Sequence, residues 1–409
     1  MYDAKKTILK NGITLVTIKK DTQIAAIHAG IKIGSIYENE KEKGISHFIE
    51  HMLFKGTKYR DNETLNRELE NLGGEYNAYT DSNSTVCSIT VLQEELEKSV
   101  EILGDMFQNS IFPQEEIERE REVVLSEIRG SKDDLEDYSF KKANETAFDK
   151  SPLKYDTLGN EKIVKSFTRN NLIEFYERYY VPNNCFISIV SDFPHNYVVS
   201  IVEKYFKDWL WKEFKREKVL EEKNRFLKKI SYKNNVEQST VVYLFTLHGL
   251  SKKEELALTI LSHRLGESGN SILFRELREK RGFAYDVYTD LDLSPHVKTL
   301  YVYTSVGREN VDETLNVINN CIESIKKGNV GFDDNTINLM KKILKTAIAF
   351  TLEDVTDIGN YAFHQIIDKE NIFQFYEDMK DLDGIKEEDI YNVANKVLNK
   401  PTIHILLNQ

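Results

Sequence analysis

Residues 47–57 read HFIEHMLFKGT. Two histidines stand four apart, with a glutamate directly before the second, inside an otherwise apolar run. On a helix, positions four apart share one face. His47 and His51 can therefore aim two imidazole nitrogens at one point and supply two corners of a tetrahedral zinc site. Glu50 sits where its carboxylate could reach a water on such an ion without being a ligand. Zinc lowers the pKa of that water toward ~7, and a carboxylate can then take its proton. Phe48, Ile49, Met52 and Leu53 would cover the other flanks of the helix and keep the site dry. The competing reading is a buried helix with incidental histidines. The order His-x-x-Glu-His, the inverse of His-Glu-x-x-His, brings the two readings level.

The elements around this helix come in a fixed order. TILKNGITLVTIK alternates about Asn11-Gly12, which signals a hairpin. The strand AAIHAGIKIGS follows, and then the His helix between Gly44 and Gly56. Next come a helix over ETLNRELENLG, the strands GEYNAYTD and TVCSITVL, and the helices EELEKSVEILGDMFQ and QEEIEREREVVLSEIRG. A helix at NNLIEFYERYY, a strand at CFISIVSD and a helix near 195–208 close the first half. The second half repeats the order: TVVYLFTL, ELALTILSHRLG, SILFRELREKRG, FAYDVYTD, TLYVYTSV, VDETLNVINNCIESIKKG, NTINLMKKILKTAIA, EEDIYNVANKVL, TIHILL. Such an order predicts an α+β protein of two similar domains, 1–208 and 231–409, each a mostly antiparallel sheet covered by helices. The charged stretch 209–230 reads as the linker.

Composition narrows the function classes. The chain has 409 residues, 40% hydrophobic and 30% charged, ample for two cores. A formal net charge of −12 speaks against binding nucleic acid or anionic membranes. No run approaches the roughly 20 apolar residues of a membrane helix. Cys87, Cys185 and Cys321 lie far apart with no metal-knuckle spacing. With no apolar signal core in MYDAKKTILKNGITLV, they point to a reducing, cytoplasmic setting.

A zinc site needs a third protein ligand, and from chemistry alone it could be any distant His, Asp, Glu or Cys. The helix QEEIEREREVVLSEIRG offers many glutamates. Glu127 follows the apolar run VVL and is expected at the buried end.

HFIEHMLFKGT resembles the active-site helix of the pitrilysin/insulinase zinc metallopeptidases, in particular their mitochondrial-processing-peptidase-like bacterial branch. GGEYNAYT, EREREVVLSEI, SILFRELREKRGFAY and the two-half layout carry the same resemblance over essentially the whole chain. It implies that His47, His51 and Glu127 bind Zn²⁺, that Glu50 is the base, and that Glu120 orients a ligand histidine. It implies that Asn77, Ala78 and Tyr79 lie on an edge strand that pairs with the substrate backbone. It also implies that Arg278 and Tyr285, from the other half, grip the peptide near the scissile carbonyl. The halves would form a clamshell closing on the peptide, and two chains would pair as a homodimer around a chamber. The function expected is a zinc-dependent endopeptidase for peptides or unfolded segments. The alternative is a catalytically silent partner subunit, against which the intact ligand and base positions speak. The second half has only His263 in its counterpart helix, so the metal belongs to the first half alone. The remaining histidines (28, 195, 248, 296, 364 and 404) show no partner spacing.

Overall fold

The computed structural model describes residues 2–409. It contains eleven strands: β1 (Asp3–Ile8), β2 (Thr14–Lys19), β3 (Ile24–Ile31), β4 (Glu75–Thr80), β5 (Thr85–Leu92), β6 (Cys185–Ser191), β7 (Lys228–Lys233), β8 (Ser239–Thr246), β9 (Ala284–Asp292), β10 (Thr299–Val306) and β11 (Thr402–Asn408). The helices are α1 (Ile45–Leu53), α2 (Asn62–Asn71), α3 (Leu96–Asn109), α4 (Gln114–Asp133), α5 (Leu135–Ala147), α6 (Glu161–Ser166) and α7 (Arg169–Tyr179). After them come α8 (His195–Phe206), α9 (Lys252–Gly266), α10 (Val311–Lys326), α11 (Asp334–Glu353), α12 (Val355–Ile367), α13 (Gln374–Asp383) and α14 (Glu387–Val397).

The strands form two sheets, ordered β1-β2-β6-β3-β5-β4 and β7-β11-β8-β10-β9. The duplication expected from element order is visible in the pairing. In the first sheet β2 runs parallel to β6, and β6-β3, β3-β5 and β5-β4 are antiparallel. In the second, β7 runs parallel to β11, and β11-β8, β8-β10 and β10-β9 are antiparallel. Leaving out β1, the second sheet repeats the first, and both are α+β layers with helices on the sheet.

The compact units are not the contiguous segments 1–208 and 231–409. One comprises the chain to Arg129, Asp156–Val219 and Ile348–Gln374; the other comprises Gly130–Tyr155, Leu220–Ala347 and Phe375–Gln409. The reason is a reciprocal exchange of helices. In the first unit α12 buries Val355, Ile358, Ala362 and Ile366 against Val16, Ile18, Ala26 and Val190 of the first sheet. In the second, Ala143 and Ala147 of α5, with Phe148, pack on Val242, Leu244, Tyr301 and Tyr303. Arg225, expected in a featureless linker, donates to the carbonyls of Glu145 (3.2 Å) and Thr146 (2.7 Å), satisfying the open C-terminus of α5. The linker also ends earlier than expected, since β7 begins at Lys228.

Two local features bear on function. Gly44 precedes α1 at φ +93°, and a Cβ there would lie 2.6 Å from the Leu158 carbonyl oxygen, so only glycine turns the chain into the helix. The second is the stretch expected as the regular helix SILFRELREKRG. Residues Phe274–Glu279 are wound as a π-helix there, a form frequent at functional sites.

Candidate metal centre

Helix α1 buries Phe48, Ile49, Met52 and Leu53 completely, as its apolar stripe requires. That leaves His47 and His51 on the opposite face, one turn apart. Their Nε2 atoms face each other at 3.2 Å. Helix α4 brings Glu127 over them: its Oε2 lies 3.6 Å from His47 Nε2 and 3.5 Å from His51 Nε2. Among the described residues these three form the one cluster of potential metal ligands. A tetrahedral zinc with bonds of about 2.0–2.1 Å spaces its ligand atoms roughly 3.3–3.4 Å apart. The observed triangle of 3.2, 3.5 and 3.6 Å fits that ion. Glu127 differs from expectation in one respect. Val124, Leu125 and Ile128 fill the buried side of α4, while the Glu127 side chain sits on the rim, 41% exposed.

The electrostatics of the triangle follow from this packing. Burial and the facing His51 ring push His47 down to about 4. Burial would also lower His51, but hydrogen bonds to Glu120 and Glu127 prevail and push it up to about 9. A metal cation at the facing nitrogens would compete with protonation of His51. Glu127 is held below the usual carboxylate range, chiefly by its hydrogen bond with His51.

Glu120 lies on the face of α4 that meets α1. Its Oε2 is 3.0 Å from His51 Nδ1, and its Oε1 is 2.8 Å from Lys55 Nζ. A proton on Nδ1 shared with Glu120 leaves Nε2 as the lone-pair nitrogen, the tautomer a metal needs. The Nδ1 of His47 is buried without a hydrogen-bond partner, so only the His51 tautomer is held in this way. Glu50 is 8% exposed. Burial raises its carboxyl above the ordinary range, against a hydrogen bond from Thr80.

Asn77, Ala78 and Tyr79 lie on β4, the outer strand of the first sheet. Asn77 Oδ1 accepts the Ala78 amide at 2.8 Å. The Tyr79 ring points to the opposite face from Ala78. Its hydroxyl donates to Asn360 Oδ1 (2.8 Å) and lies 3.0 Å from His364 Nε2, both on α12. Arg278 and Tyr285 belong to the second unit. There the guanidinium donates to the Tyr285 carbonyl (3.2 Å) and covers the Phe274 ring, and Tyr285 is 68% exposed. His263 is buried in α9.

Sequence reading gave no role to Lys55 or Thr80. Lys55 stands four residues beyond His51, just past the end of α1, and that spacing was the available signal. Thr80 shares the face of β4 with Tyr76 and Ala78 by strand alternation.

Comparison with known proteins agrees with this geometry. Residues 14–161 match the family model described as insulinase (peptidase family M16), and residues 166–344 match that of the peptidase M16 inactive domain. An "uncharacterized zinc protease" of Rickettsia felis is 32% identical over 410 residues, covering 98% of this chain and 96% of its own. This chain belongs to peptidase family M16. Within that family it is also similar to the β subunit of the mitochondrial-processing peptidase of Rattus norvegicus, at 34% identity over 51% of this chain and 42% of that one. A crystal structure of a protease from Helicobacter pylori superposes with a TM-score of 0.91 at 21% identity, covering 99% of each chain. That likeness shows a shared fold over the whole chain. The "inactive domain" match covers the half of this M16 chain whose counterpart helix carries His263 alone, whereas the metal-ligand cluster lies in the half matching the insulinase model.

Proposed function

We propose that this M16 chain is a zinc-dependent endopeptidase acting on peptides or unfolded polypeptide segments. The observation that carries the reading is the triangle of His47, His51 and Glu127, with buried Glu50 on the same helix. His47, His51 and Glu127 would hold a zinc ion, which would supply Lewis-acid chemistry for activating water and polarising a carbonyl. Glu50 takes a proton from the attacking water and passes it to the leaving amine. Its burial raises its affinity for that proton, which favours the first of these transfers. Glu120 keeps the His51 ring in one tautomer and orientation through its Nδ1. The outer edge of β4 offers main-chain groups to an extended peptide, which supports a substrate held by its backbone more than by its sequence. A cytoplasmic setting and a homodimer that admits only unfolded chains belong to the same proposal.

The test is a mixed peptide library incubated with the protein, with and without a chelator, and read by mass spectrometry. Internal cleavage products that disappear with the chelator are expected. A library left intact, or products indifferent to chelation, would contradict the reading.

A further inference from the structure

Glu50 has one hydrogen-bond partner among the described residues: Thr80 Oγ1 donates to its Oε2 at 2.6 Å. Thr80 is the last residue of β4, the outer strand. Strand alternation puts Tyr76, Ala78 and Thr80 on one face. That face is turned toward α1: Tyr76 stacks on Phe54 at its C-terminal end (ring centroids 6.3 Å apart, planes at 30°), and Thr80 reaches Glu50 in its middle.

The proton inventory makes the contact directional. Thr85 is the register partner of Thr80 across β4-β5, and their hydroxyl oxygens are 3.4 Å apart. A threonine hydroxyl has one proton to give. Thr85 gives its own to the Ile33 carbonyl at 2.9 Å, so it has none for Thr80. The Thr80 proton goes to Glu50. With Oε2 engaged, Oε1 is the oxygen left to accept and release the transferred proton.

On the proposed peptidase reading, we infer that Thr80 is a positioning residue for catalysis: its hydroxyl fixes the rotamer of Glu50 and ties the base to the strand that meets the peptide. One strand then carries both the backbone groups beside the substrate, at Asn77 and Ala78, and the hydroxyl that aims the base two residues on. A peptide laid along β4 would be placed in register with the Glu50 carboxylate by covalent connection. A base free to turn would be misaligned for most encounters, and misplacement near 1 Å costs up to about 100-fold in rate.

The alternative is that the hydroxyl merely solvates a buried carboxylate. Steady-state kinetics on a peptide substrate separate the two, using the full chain as Thr80→Val, Thr80→Ser and Thr80→Ala, with zinc content and thermal unfolding measured on each. Thr80→Val keeps the shape and the strand propensity but has no proton to give. It is expected to lower kcat about tenfold or more, with KM within about twofold of the parent. Thr80→Ser, which restores the proton, is expected to recover kcat to within about threefold. Thr80→Ala repeats the Val result without a branched side chain, and it carries the test if Thr80→Val does not fold. Parent-like kcat in a folded variant lacking the hydroxyl overturns the role of Thr80, as does a Ser variant no better than Val. A parent without turnover overturns the peptidase reading itself, and this inference with it.

Discussion

Replacing Glu120 with glutamine should weaken zinc binding without unfolding the protein. The Glu120 carboxylate, 7% exposed, serves two charged or chargeable donors at once: His51 Nδ1 at 3.0 Å and Lys55 Nζ at 2.8 Å. Glutamine has one carbonyl oxygen, so one donor keeps an acceptor and the other meets an amide NH₂. If the oxygen stays with Lys55, His51 loses what holds its Nδ1 proton, and its Nε2 is no longer reserved for the metal. Loss of such a supporting partner lowers metal affinity by about 10–100-fold, or ~1.4–2.8 kcal/mol. A hydrogen bond to a charged group is independently worth ~1.5–3 kcal/mol. Competition for zinc against a chromophoric chelator at neutral pH reads the affinity, and circular dichroism checks the fold. An affinity within twofold of the parent, in a folded variant, would refute the orienting role of Glu120.

Two further predictions concern the frame around α1. Gly44→Ala meets both a positive φ of +93° and the Leu158 carbonyl oxygen at 2.6 Å. It should cost about 2–4 kcal/mol of stability. Urea denaturation would read the loss, and a variant within about 0.5 kcal/mol of the parent contradicts the turn assignment. Glu38, buried beside Lys43, accepts the amides of Gly44 (2.9 Å) and Ser46 (2.8 Å), and burial raises its carboxyl to about 7 from 4.5. A group with a raised folded-state pKa binds more protons folded than unfolded. Its stabilising contribution is therefore complete below pH 4.5 and is lost as pH rises through 7, by about 3 kcal/mol. Glu38→Gln should flatten the fall in stability between pH 5 and 7.5; an unchanged slope would place the titrating group elsewhere.

Much of the architecture was legible because its signals are local. Asn11-Gly12 marked the first hairpin with its alternating flanks, and the stretches that form β4, β5, β9 and β10 read directly as strands. The His helix announced itself through glycines at both ends. What escaped was the exchange of α5 and α12. An amphipathic face says that a helix will be covered, not by which sheet, and both helices were missed outright. Strand β7 hid in a lysine-rich run because an exposed edge strand carries charges to discourage pairing with other chains. At the site, the spacing of His47 and His51 was enough to place two nitrogens together. Glu127 was expected at the buried end of its helix, but a ligand must face the open metal position, so the apolar run beside it was a misleading guide. Thr80 and Lys55 went unassigned because a hydroxyl or an ammonium gains its role from partners distant in sequence, here Glu50 and Glu120.

The central claim is that Glu50 performs proton transfer beside a zinc ion that it does not bind. Glu50→Gln keeps the size of the side chain, leaves His47, His51 and Glu127 in place and removes the basic oxygen. Zinc content by elemental analysis and peptide hydrolysis should be measured on the same preparation. The account predicts about one zinc per chain in parent and variant, with hydrolysis reduced by roughly 100-fold or more in the variant. A zinc-replete Glu50→Gln protein that cleaves peptides at the parent rate would contradict it.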